Sequence, residues 1–101
     1  MDLYEVNNVM GKKTIVKRIP GGKTLQIDID CDDRINYVLI SGDFFAYPED
    51  FIDKLQENIV GKTVSEAIQL INQMVKKIKP ELLGISIDNI IEILYEACVK
   101  T

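Results

Sequence analysis

A chain of 101 residues, 47% hydrophobic and 28% charged, is sized for one domain whose core buries about two-thirds of the unfolded surface. Its net charge of −4, with twelve basic residues spread along the chain, argues against a nucleic-acid or anionic-membrane partner. No apolar run approaches the roughly 18 residues a bilayer span needs, and the acidic start Met1-Asp2-Leu3-Tyr4-Glu5 lacks a signal-peptide layout. Cytoplasmic residence is expected. There is no histidine, which excludes Ser-His-Asp and Cys-His nucleophilic sites and most zinc sites. Cys31 and Cys98 make neither a metal-ligand spacing nor a disulfide framework. Without a P-loop or a Gly-x-Gly-x-x-Gly run either, catalysis by this chain alone is not expected.

Residues 1–12 read as an irregular lead-in, and 13–101 as a single domain. Thr14-Ile15-Val16-Lys17-Arg18-Ile19 is rich in β-branched residues and predicts a first strand. Pro20-Gly21-Gly22-Lys23 follows: proline fixes φ at the second turn position and Gly21 supplies the positive φ that a type II turn needs at the third. Leu25, Ile27 and Ile29 then alternate with polar residues, the period of a strand with one wet face. Cys31-Asp32-Asp33 turns the chain into a third strand, Arg34 to Ser41. Pro48-Glu49-Asp50 provides proline and acids for a first helical turn, with Phe51, Ile52, Leu55 and Ile59 on one face and Gly61 ending the helix. Thr63 and Glu66 predict a capping box for a second helix, whose apolar positions Val64, Ala67, Ile68, Ile71, Met74, Val75 and Ile78 keep a 3.6-residue period until Pro80 stops it. Ser86 caps a last helix bearing Ile87, Ile90, Ile91, Leu94 and Cys98. The order β-β-β-α-α-α predicts a two-layer α+β domain: a three-stranded antiparallel sheet with about three helices on one face.

Strict alternation selects one hairpin register, pairing Asp30 with Arg34, Ile29 with Ile35, Ile27 with Tyr37 and Leu25 with Leu39. It would set Lys23 opposite Ser41 and Gly22 opposite Gly42, joining the first turn to Ser41-Gly42-Asp43-Phe44-Phe45 and Pro48. Val38 and Ile40 would then lie on the face away from the core, either as a partner surface or under an N-terminal segment bearing Tyr4, Val6, Val9 and Met10. In an extended run Phe44 and Phe45 point to opposite sides, so one faces the helices and the other a partner or ligand. Asp43 either caps the turn through its side chain or contacts that partner. Cys98 reads as core packing, and Cys31 as a thiol that its acidic neighbours keep unreactive.

Pro20-Gly21-Gly22-Lys23, the hairpin ending near Asp33-Arg34-Ile35, and Ile40-Ser41-Gly42-Asp43-Phe44-Phe45 with Pro48-Glu49 together resemble the C-terminal accessory domain of lipoate–protein ligases. The likeness is greatest to the bipartite ligases of archaea, in which this domain is a separate small chain, and it runs from about Lys13 to the last helix. Asp33 departs from the glycine often found there, a position aspartate also tolerates. The resemblance implies a fold of the SufE and NifU type. It also implies a heterodimer whose large catalytic chain uses ATP, Mg and lipoate to form lipoyl-adenylate, none of them bound by this chain alone. The lipoyl group then passes to a lysine of an acceptor domain. The small chain would be a non-catalytic subunit required for adenylation, its partner- or substrate-facing edge comprising Pro20, Gly21, Gly22, Lys23, Ser41, Gly42, Asp43, Phe44, Phe45 and Pro48. The alternatives are a sulfur acceptor or scaffold of the same fold, and a purely structural interaction module.

Overall fold

The computed structural model describes the backbone of residues 3–9, 12–21 and 23–98, with side chains from residue 12 onward. Strands β1 (Leu3–Val9), β2 (Lys12–Ile19), β3 (Lys23–Cys31) and β4 (Ile35–Gly42) form an antiparallel meander in that spatial order. A two-stranded ribbon of β5 (Phe45–Tyr47) and β6 (Glu81–Leu83) stands apart from it. Helices α1 (Phe51–Ile59), α2 (Val64–Ile78) and α3 (Ile87–Cys98) supply the second layer. Helix α1 packs on β4, α3 packs on β2 and β3, and α2 packs against both other helices.

The α+β class and the three predicted strands and helices are present, with two additions. The segment expected to be irregular contains β1, so the main sheet has four strands. Its apolar residues Val6 and Val9 are three apart, which hides strand alternation. The β1–β2 pairing carries a register shift between Glu5 and Asn7. The side chains of Tyr4, Val6, Val9 and Met10 lie outside the described residues. Strands β5 and β6 have three residues each, too few to show a period.

The β3–β4 register also differs from the alternating one. Ile29 lies opposite Val38, Ile27 opposite Ile40 and Leu25 opposite Gly42, while Cys31 faces Ile35. Asp30 therefore faces Tyr37, and Arg34 is free to donate to the Gly61 carbonyl at 3.0 Å. The extra residue is Asn36, between the pairs Cys31–Ile35 and Asp30–Tyr37. Because of it Ile35, Val38 and Ile40 are all buried with Leu25, Ile27 and Ile29, and Tyr37 and Leu39 are exposed instead. A bulge gives up about one ladder hydrogen bond, worth roughly 1 kcal/mol, whereas each buried aliphatic side chain contributes about 1.5–3 kcal/mol. Burial wins. The Arg34 N–H holds the Asp32 carboxyl below its usual range, and the Asn36 side chain adds to the effect.

Helix α1 buries Phe51, Ile52, Leu55 and Ile59 as predicted, but starts three residues after Pro48, which follows Tyr47 through a cis peptide bond. The Thr63–Glu66 capping box is formed in both directions. Ser86 and Asn89 make a similar reciprocal pair at the start of α3. Strand β4 is an edge of the main sheet, and its outward Ile40 N–H donates to Gln56 Oε1 of α1 at 2.7 Å. Toward its other end, Ile35 exchanges backbone hydrogen bonds with Lys62 and Gly61.

Cys31 and Cys98 form a disulfide with Cα atoms 5.5 Å apart, correcting the expectation of two unconnected cysteines. The end of β3 and the end of α3 meet across the layers, a non-local encounter that sequence spacing does not reveal.

The core face of β2 also holds Lys17, 1% exposed and ion-paired with Glu92 of α3, itself 49% exposed. Desolvation pushes the Lys17 ammonium below its usual pKa, and the Glu96 carboxylate opposes that shift. Between the lowered value and the ordinary 10.5 the unfolded chain binds more protons than the folded one. Lys17 therefore makes stability rise with pH through that window, and its desolvation cost is carried in full below it. Lys17→Met keeps the packed stem and leaves Glu92 solvated. It is expected to raise stability at pH 7 by about 1 kcal/mol and to remove this part of the alkaline rise. Urea melts of both proteins between pH 7 and 11 check this; a less stable methionine variant would show the ion pair to be net favourable.

Candidate functional site

The two glycine-containing motifs meet at one end of the main sheet, in a different alignment from the expected one. Lys23 lies opposite Ile19 in the β2–β3 ladder, and Ser41 opposite Gln26. Pro20 and Gly21 form the exposed β2–β3 turn, with Gly21 at φ +101 as a type II turn requires and open space where a Cβ would stand. Gly22 lies outside the described residues.

The join is made by Gly42, Asp43 and Thr24. A Cβ on Gly42 would run into the Thr24 carbonyl oxygen, so only glycine lets the strands approach this closely. Beyond it the Asp43 N–H donates to the Thr24 carbonyl at 3.2 Å, and Asp43 Oδ1 accepts from the Thr24 N–H at 2.6 Å. The aspartate side chain thus supplies the acceptor that a backbone carbonyl would supply in a regular rung.

The phenylalanines diverge as strand alternation requires. Phe44 is half-buried against the core, and Phe45 is 76% exposed. In the ribbon Phe45 pairs with Leu83 and Tyr47 with Glu81, while Ala46 and Leu82 between them pack on the core. Its outer face therefore displays Phe45, Tyr47 (68% exposed) and Leu83 (68% exposed) side by side. Two shallow clefts flank Phe45. One of about 410 Å³ is lined by Gly42, Phe44, Glu49 and Ile52, and one of about 250 Å³ by Tyr47, Glu49, Glu81 and Leu83. Half-buried Pro48 closes the ribbon before α1.

Sequence pattern does not bring Tyr47, Leu83 and Gly84 to this edge; the fold does. Gly84, between β6 and α3, lies against Lys23, Asp43 and Phe44, bringing a third segment to the edge.

An exposed aromatic cluster beside a lysine is suited to docking and to placing a positive charge. Among the described residues no group of His, Cys, Asp and Glu is arranged to hold a metal ion, and no helix is long and apolar enough to cross a membrane.

No family model and no curated protein matches the chain. Among solved structures, the chain is similar to one from an archaeal lipoylation system, a bi-partite lipoate protein ligase and its E2 lipoyl domain from Thermoplasma acidophilum. The TM-score is 0.67 at 23% identity, over 92% of this chain and 97% of that one. The two share a fold.

Proposed function

We propose that this chain is the non-catalytic subunit of a two-chain lipoate–protein ligase, required for ATP-dependent formation of lipoyl-adenylate before lipoyl transfer to a lysine of an acceptor domain. The observation that carries this reading is the shared fold, nearly end to end, with a chain from a bi-partite lipoate ligase system. The motif edge supports it: Phe45, Tyr47 and Leu83 offer a docking surface, and Lys23 offers a charge beside it. In the proposed mechanism the edge docks on the catalytic chain, orders its nucleotide and lipoate loops, and excludes water from the activated acyl group. ATP, Mg and lipoate are held by that larger partner. The heterodimer is cytoplasmic in this reading.

The SufE and NifU type of fold implied by the resemblance would also fit a sulfur acceptor. That role needs a free thiol, and Cys31 is bonded to Cys98.

The test is reconstitution. Added to a candidate catalytic chain, this protein is expected to co-elute with it on gel filtration and to stimulate lipoate-dependent pyrophosphate release from ATP. Absence of both complex and stimulation sinks the proposal; binding without stimulation leaves a structural interaction module.

A further inference from the structure

Lys23 is exposed, but the base of its side chain is not free. Gly84 is half-buried at φ +98, and a Cβ there would stand 3.3 Å from Lys23 Cγ, 3.4 Å from Phe44 Cβ and 3.6 Å from the Asp43 carbonyl oxygen. The base of the lysine stem, at Cγ, therefore sits where a side chain on residue 84 would crowd it. The next residue, Thr24, is held at both its N–H and its carbonyl by Asp43, which fixes the backbone from which the stem departs. An unrestrained lysine gives up rotamer entropy when it engages an anion, and a seated stem has lost part of that already.

We infer that Gly84 is a positioning residue for Lys23, seating its stem so that the ammonium is presented to an oxyanion of the ligase complex, a phosphoryl group or a carboxylate. This rests on the function proposed above and adds to it a third segment, distant in sequence from both motifs. The positive φ and the Lys23 contact make the same demand, because any L-side chain at position 84 strains the backbone and pushes on the stem.

A double-mutant cycle tests it in the reconstituted complex. Gly84→Ala is expected to slow adenylation about tenfold in the wild-type background and to leave the already slow Lys23→Ala protein unchanged, because the two act through one group. Equal slowing in both backgrounds, or none in either, overturns the inference. In Lys23→Ala itself, a raised KM for ATP marks a phosphoryl oxygen as the engaged group, and a weakened complex at unchanged KM marks a partner carboxylate. If neither parameter changes, the oxyanion contact is wrong. A measurement on the isolated wild-type chain needs no activity. Carbon relaxation should show the inner methylenes of Lys23 more ordered than those of exposed Lys76 and Lys77, and equal mobility would overturn the seating even where adenylation proceeds. Should the chain fail to stimulate adenylation, the proposed function falls, and the same relaxation measurement on the wild type and on Gly84→Ala decides the seating: a stem equally ordered in both overturns it.

Discussion

Phe45→Ala is expected to weaken the proposed complex with a catalytic chain by about 2 kcal/mol, roughly 30-fold in Kd, and to leave the fold as stable as before. Phe45 is the most exposed of the large apolar side chains on the ribbon, and it touches little of its own domain. Its removal therefore forfeits nothing in the free chain, whereas in a complex it would empty a pocket at the centre of the contact. Tyr47 and Leu83 flank it on the same face, so it has neighbours that would exclude water around a buried anchor. Phe44 makes the reverse case. It packs against the core and beside Gly84, so Phe44→Ala should lower the thermal midpoint first and affect binding only through that loss. Titration calorimetry for affinity and thermal melts for stability separate the two. A Phe45→Ala protein that binds as tightly as wild type would move the docking surface off the ribbon.

The second large effect concerns the bond between the layers. Cys98→Ser, or reduction of the wild type, is expected to lower stability by about 4 kcal/mol. The cysteines are 67 residues apart, and closing a loop of that size removes this much chain entropy from the unfolded state. Against the roughly 5–15 kcal/mol typical of a whole domain, the loss is a large fraction. Denaturant titrations with and without a dithiol reductant measure it. The reduced wild type should coincide with the serine variant. Identical midpoints for the oxidised and reduced wild type would show that the bond contributes nothing to holding α3 on the sheet.

What could be read from the sequence was local. The Thr63–Glu66 box, the apolar stripe from Phe51 to Ile59 and the turn at Pro20-Gly21 each depend on residues within a few positions of one another, and each stands where it was expected. The divergence of Phe44 and Phe45 follows from strand alternation alone. The two motifs meet as expected, but in a different alignment: the turn carries Ile35 from Ile29 to Cys31, and the inserted Asn36 adds one further step and reverses every side chain beyond it. Strict alternation favoured Tyr37 and Leu39 for the core. The fold buries Val38 and Ile40, better shaped for a tight interior, at the cost of a bulge. The disulfide, the pairing of β5 with β6 and the contact of Gly84 with Lys23 join segments from 34 or more residues apart, and nothing short-range announces them.

Gln56 and the Ile35 exchange acquire a further meaning when the sheet is viewed as a template. An open edge strand offers a row of donors and acceptors to any extended chain, including another copy of the same protein. On β4 the Ile40 N–H is occupied by a side chain from α1, and both polar groups of Ile35 are occupied by the segment joining α1 to α2. A strand arriving from outside would find both groups of Ile35 and the N–H of Ile40 already taken. The domain is thereby protected on that side against runaway strand addition, which leaves the exposed aromatics of the ribbon free to be sticky without recruiting strands to β4.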